Sequence, residues 1–212
     1  MKALFDKYFH HTHSYIALRQ SVGWIGLLLP FVLMLGNWLI FRGPLVENSI
    51  SYYYHTGMGD VFVGALCAVA LFLFFYSGYD KWDDWAGNLG GIFALGVAWF
   101  PMTKTGPPDW ADRVHLVSAI LFFLVLASFS LLLFTKTEKG RKPEGRKKKR
   151  NGIYIACGII MLVSLASIAA FKFWLQDDHP EWRLVFWGET MALVAFGISW
   201  LTKGEAIYPD RE

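Results

Sequence analysis

Between two long apolar runs the chain carries ENSISYYYHTGMGD, Glu47 to Asp60, which gathers carboxylates, serines, tyrosines and a histidine in one short stretch. His55 and Asp60 from this stretch, with His115 and Glu189 further on, make two imidazoles and two carboxylates. These are the donor types that hold a divalent metal such as zinc while leaving a position open for water. In that arrangement His55, His115 and Asp60 are expected to hold the ion, and Glu189 acts as base toward bound water, with Asp60 as its catalytic companion. The same four types also run acid/base chemistry without a metal. They come from three separate segments, and no pair of histidines one helical turn apart constrains them. Asn37, Ser51 and Lys104 join them as further polar-site candidates.

Each has a structural reading beside the chemical one. Asp60 is a helix N-terminal charge favoured by the dipole, and interfacial histidines serve as wet hydrogen-bonding residues. Glu189 is the least expected, because a carboxylate within hydrocarbon costs about 2.5 kcal/mol or more and is normally turned into the protein toward a partner. Lys104, His115 or a metal are its candidate partners. Tyr52, Tyr53 and Tyr54, with Trp99, Trp110 and Trp182, read as an interfacial aromatic belt. His10, His11 and His13 read as surface residues, and Asp177, Asp178, His179 and Glu181 as a solvated loop or a cation site.

The elements that must position these residues are read from composition. Of 212 residues 55% are apolar, 17% aromatic and 17% charged, and the mean hydropathy is +0.36, which is too apolar for an ordinary soluble domain. A helical span takes roughly 20 apolar residues, and six such runs are present: 22–41, 58–78, 85–101, 114–134, 153–174 and 184–201. They are continuously apolar instead of alternating, which argues against barrel strands. The predicted fold is an all-α integral membrane protein, a single six-transmembrane helix bundle. Phe5, Tyr8 and Phe9 mark an interfacial helix ahead of the first span, and no cleaved signal peptide is read there.

Orientation comes from the Lys and Arg residues, fifteen of 20 of which fall on the side of the termini. Both termini are therefore predicted to be cytoplasmic, in the plasma (inner) membrane. Most of the bias comes from the basic loop 136–151. Its run Arg146, Lys147, Lys148, Lys149 and Arg150 is a topogenic signal or a site for anionic membrane lipids. No module for reading nucleic acid accompanies it. Cys67 and Cys157 lie inside spans and belong to no CxxC, and the chain has no GxxxxGK[ST], GxSxG or HExxH. Gly87, Gly90, Gly91 and Gly96 space the third span for close helix approach, and Pro30 is expected to kink the first.

A first outer loop ending in Ser49-Ile50-Ser51, followed by a short polar stretch and by GDVFVGALC from Gly59 to Cys67, resembles the DRAM-type family of six-helix membrane proteins and its bacterial relatives. In that family the loop usually reads Ile-Ser-Asp, where this chain has Tyr52. The resemblance implies lipid handling, as in GPI-anchor lipid remodelling, in preference to solute transport. A weaker similarity is to the CREST group of membrane hydrolases, whose metal site combines Ser, Asp and His. Ser51, Asp60 and His115 would supply it, and the group's C-terminal HxxxH is absent. Two functions stand as expectations: an outward-facing lipid-modifying protein, a metal-assisted hydrolase in its sharpest form, or a non-catalytic lipid-binding or assembly protein whose polar cluster is structural.

Overall fold

A computed structural model describes residues 2–78, 81–104, 106–137, 144–175 and 182–209, with side chains from Ile16 onward. Among these residues the structure is entirely helical: α1 (Lys2–Leu39), a 3-10 helix (Ile50–His55), α2 (Gly59–Phe74), α3 (Lys81–Trp99), α4 (Trp110–Ser128) continued by a π turn (Phe129–Leu133), α5 (Gly145–Trp174) and α6 (Leu184–Lys203). Successive helices pack on one another, and α6 returns to pack on both α5 and α1.

Four helical stretches are long and apolar enough to cross a membrane: Ile16–Leu39, Trp110–Leu133, Gly145–Trp174 and Leu184–Lys203. Exposed Leu, Ile, Val and Phe side chains such as Val163, Ile159, Leu71 and Phe173 cover the outer faces of the helices, as a lipid-facing surface requires. The chain is thus a helical membrane protein. Of the six spans predicted, the second is an apolar helix of only 16 residues. The third has Lys81, Asp83 and Asp84 in its first turn, and neither it nor the second meets the length and hydropathy of the other four.

Boundaries shift for local reasons. The stretch ahead of the first span is continuous with it in one 38-residue helix, including Pro30; the side chains of Phe5, Tyr8, Phe9, His10, His11 and His13 lie outside the described residues. The basic run is also helical, because α5 begins at Gly145 instead of near 153. Close backbone approach relies on glycine, as predicted for the third span: a Cβ at Gly87 would stand 2.6 Å from the Leu73 carbonyl oxygen. The same holds where α6 crosses α1, since a Cβ at Gly197 would stand 2.6 Å from the Leu27 nitrogen.

The two ends of the helices differ in character. At the end holding the helix termini 39, 59, 99, 110, 174 and 184, the connections are polar and stapled. At the other end Tyr76, Phe129, Phe134 and Trp200 form an aromatic cluster with ring centroids 5.0–5.7 Å apart, and buried Ser130 and Ser199 share a 2.7 Å hydrogen bond beside it. The π turn allows α4 to present both Phe129 and Ser130 there.

Candidate functional site

The site is built on the loop between α1 and α2. After α1 the chain reverses at Arg42, whose φ is 57°. Asn37, buried, holds the reversal: its carbonyl accepts from Gly43 N at 3.0 Å, and its side-chain amide donates to the Pro44 carbonyl at 2.8 Å. Asn37 is therefore a loop staple. Tyr53, fully buried, donates its hydroxyl to the Leu45 carbonyl at 2.7 Å. Burial raises its phenol above the ordinary value, so it remains a donor. The belt predicted for Tyr52–Tyr54 thus loses Tyr53 to the core, because its ring packs at 6.2 Å from Phe186, while Trp99, Trp110 and Trp182 are exposed.

Ser49 caps the 3-10 helix, its hydroxyl accepting from Ser51 N at 3.0 Å. That turn is tied to α6 by Glu189, whose carboxylate accepts from Ile50 N at 2.6 Å and, more weakly, from the Ser49 hydroxyl at 3.4 Å. Neither Lys104 nor His115, the partners predicted for it, meets this carboxylate. Lys104 instead pairs with buried Glu47 at 3.0 Å, joining the first loop to the one between α3 and α4.

On the opposite wall a reciprocal capping box at Asp109 and Asp112 starts α4. Asp112 also accepts from Thr103 N at 2.7 Å and from the Thr103 hydroxyl at 2.8 Å. The incoming loop is thereby pinned, and the Phe100 carbonyl lies 2.7 Å from Nδ1 of His115. A carbonyl only accepts, so Nδ1 carries the hydrogen, and in the neutral ring Nε2 keeps the lone pair. That nitrogen lies 2.8 Å from the Ser51 hydroxyl, which donates to it. Ser51 and His115 are both buried. The result is a hydroxyl hydrogen-bonded to an oriented imidazole, the pairing that activates a serine nucleophile. Below them an apolar pocket with about 410 Å³ of empty space, mouth included, runs between the helices, with Ser51 and Glu189 its polar members.

The predicted metal group is not assembled. His55 is exposed, its Nε2 2.6 Å from the Met102 carbonyl, and both nitrogens of His115 are engaged by Phe100 and Ser51. Asp60 is exposed in the first turn of α2, where the helix dipole favours it. Among the described residues no three of His, Cys, Asp and Glu could hold a metal ion together. The residues do not fit a zinc site, and no step is derived through one. Asp177, Asp178, His179 and Glu181 include positions outside the described residues.

The basic run divides by helix face. Arg146, Lys148 and Lys149 are exposed. Lys147 donates to the Phe134 carbonyl at 2.9 Å, and Arg150 is buried, donating to the Tyr154 hydroxyl and the Thr202 carbonyl, both at 3.1 Å. Residues three apart share a helix face, which turns Lys147 and Arg150 inward and removes them from the predicted lipid-binding set. Sequence reasoning missed Ser49, the Phe100 carbonyl and Asp112. Asp109 and Asp112, three apart ahead of an apolar run, carry a readable capping signal; a backbone carbonyl carries none.

A family model described as "Protein of unknown function (DUF998)" matches residues 24–175. The chain belongs to this family. The matched segment contains Ser51, Asp60 and His115 and ends before Glu189. The likeness to DRAM-type proteins and CREST hydrolases gains no support from this match. No curated protein and no solved structure matches the chain.

Proposed function

We propose that this DUF998 protein is a lipid-modifying membrane hydrolase in which Ser51 is the nucleophile and His115 its general base. The observation that carries the reading is the 2.8 Å contact from the Ser51 hydroxyl to Nε2 of His115, with Nδ1 held by the Phe100 carbonyl. The Ser51 oxygen attacks a lipid ester carbonyl while its proton passes to Nε2. The imidazolium returns that proton to the departing alkoxide, leaving acyl-Ser51. Water then attacks the acyl group, gives its proton to His115 and releases the fatty acid, and Ser51 regains its hydrogen. Glu189 holds the turn that carries Ser51, which makes it a positioning residue in place of a base toward metal-bound water.

The proposed topology is six spans with both termini in the cytoplasm and the Ser51 end outward, in the plasma membrane. It is supported by the excess of Lys and Arg at the other end and by the helices packing in chain order. Membrane lipids are the partners in this reading, and the exposed Arg146, Lys148 and Lys149 meet anionic headgroups.

An alkyl fluorophosphonate tests the chemistry. The purified protein is expected to be labelled at Ser51, and labelling is expected to vanish in Ser51→Ala and to slow about 10²–10⁴-fold in His115→Ala. No labelling and no ester hydrolysis by a folded parent protein would rule the enzyme out. A second reading, a non-catalytic lipid-binding or assembly protein, is favoured by Glu189 meeting backbone and side-chain donors within the protein. In that case Ser51→Ala lowers stability by about 1–3 kcal/mol and there is no activity to lose.

A further inference from the structure

The pocket that opens below Ser51 extends away from the polar loops and along the helices, and its lining there is apolar: Leu29 of α1, Phe62 and Leu66 of α2, Phe122 of α4 and Leu193 of α6. Its polar members, Ser51 and Glu189, stand together at one end. From His115, which bonds Ser51, to Phe122 is seven residues along α4, or roughly 10 Å at 1.5 Å per residue. A zigzag of C–C bonds of about 1.5 Å advances roughly 1.3 Å per carbon, so that depth houses about eight carbons.

We infer that this pocket binds a single acyl chain with its carbonyl at Ser51 and its tail against Phe122 and Leu193, so that the substrate is a fatty ester or thioester selected by chain length. The inference rests on the proposed role of Ser51 for its chemistry and on the pocket for its selectivity. Three features agree with it. The nucleophile and the apolar lining meet at one point. The lining comes from four helices, which suits one slender chain better than a headgroup. The Glu189 carboxylate beside the mouth also disfavours a second carboxylate, so an ester enters and a free acid is expelled.

The test uses the full chain in lipid nanodiscs with 4-nitrophenyl esters of increasing acyl length. kcat/KM is expected to rise up to about fourfold per added methylene, the equivalent of about 0.8 kcal/mol, and to level off near the octanoate. Leu193→Trp should lower the octanoate-to-acetate ratio of kcat/KM by about tenfold or more. In parallel, 1-octanol with a terminal diazirine is photolysed with the unaltered protein, and the labelled peptides are mapped. Tail labelling at Phe122 or Leu193 is expected. A flat chain-length profile, with labels scattered over the outer helix faces, would overturn the acyl-chain site even if Ser51 were the nucleophile. Tail labelling at Phe122 or Leu193 in a protein that hydrolyses none of the esters would uphold the chain site and overturn the hydrolase.

Discussion

Ser51 donates to an imidazole whose other nitrogen is already committed to the Phe100 carbonyl, and it sits on a turn whose first N–H is held by Glu189. Glu189→Gln keeps an oxygen acceptor for Ile50, whereas Glu189→Ala removes it and leaves a half-buried N–H without its partner. The alanine variant is therefore expected to lose about 1–3 kcal/mol more than the glutamine variant, measured by thermal unfolding in detergent. Fluorophosphonate labelling at Ser51 should fall further in Glu189→Ala than in Glu189→Gln. Equal melting and equal labelling in the two variants would remove Glu189 from the site. Ser51, His115 and Glu189 are all legible in the sequence, because a hydroxyl, an imidazole and a carboxylate at the ends of apolar runs demand partners. The zinc grouping fails for a physical reason: residue type does not say which ring nitrogen a backbone carbonyl will occupy, and Phe100 and Met102 occupy the histidines one at a time.

Single helices carry further consequences. On α5 the exposed Arg146, Lys148 and Lys149 and the inward Lys147 and Arg150 should respond differently to neutralisation. Replacing the exposed three by Gln is expected to weaken binding to vesicles rich in anionic lipid, most visibly at low salt, since exposed charge is screened over about 8–10 Å at physiological ionic strength. Replacing Arg150 by Gln should lower the melting temperature instead, because its guanidinium bridges α5 to the end of α6. Unchanged vesicle binding in the triple variant would leave the run a topogenic signal. On α4 the π turn holds one residue more than a regular helix needs. Deleting exposed Leu132 should restore α-helical phase, rotate the residues beyond it by about 100°, and pull Phe134 from the aromatic cluster. Near-ultraviolet circular dichroism reads that loss, and an unchanged spectrum would show that the turn is tolerant of either phase. The helices themselves are legible from apolar run length. Their starts are not, because polar residues continue α1 and α5 beyond their apolar segments, and the π turn depends on Ser130 meeting Ser199 from 69 positions away.

For the whole molecule the firm expectation concerns sidedness. A cysteine placed at Gly145 should resist a membrane-impermeant thiol reagent in intact cells, and one placed at Asp109 should react. The reverse pattern would turn the protein over and put Ser51 on the cytoplasmic face. Four spans can be read from length and hydropathy alone, whereas α2 and α3 lean on their neighbours, so the six-span arrangement is less readable from hydropathy than from the order in which the helices pack. The anchoring of Ile50 by Glu189 reaches across 139 positions of chain, and this gives the site a history as well as a geometry. A ribosome makes Ser51 and His115 well before it makes α6, so the growing polypeptide holds the serine turn in the bilayer while its carboxylate clasp has yet to be synthesised. The nucleophile is set in place only when α6 docks between α1 and α5, so a chain interrupted before α6 inserts would carry the reactive residues without the clasp that readies them.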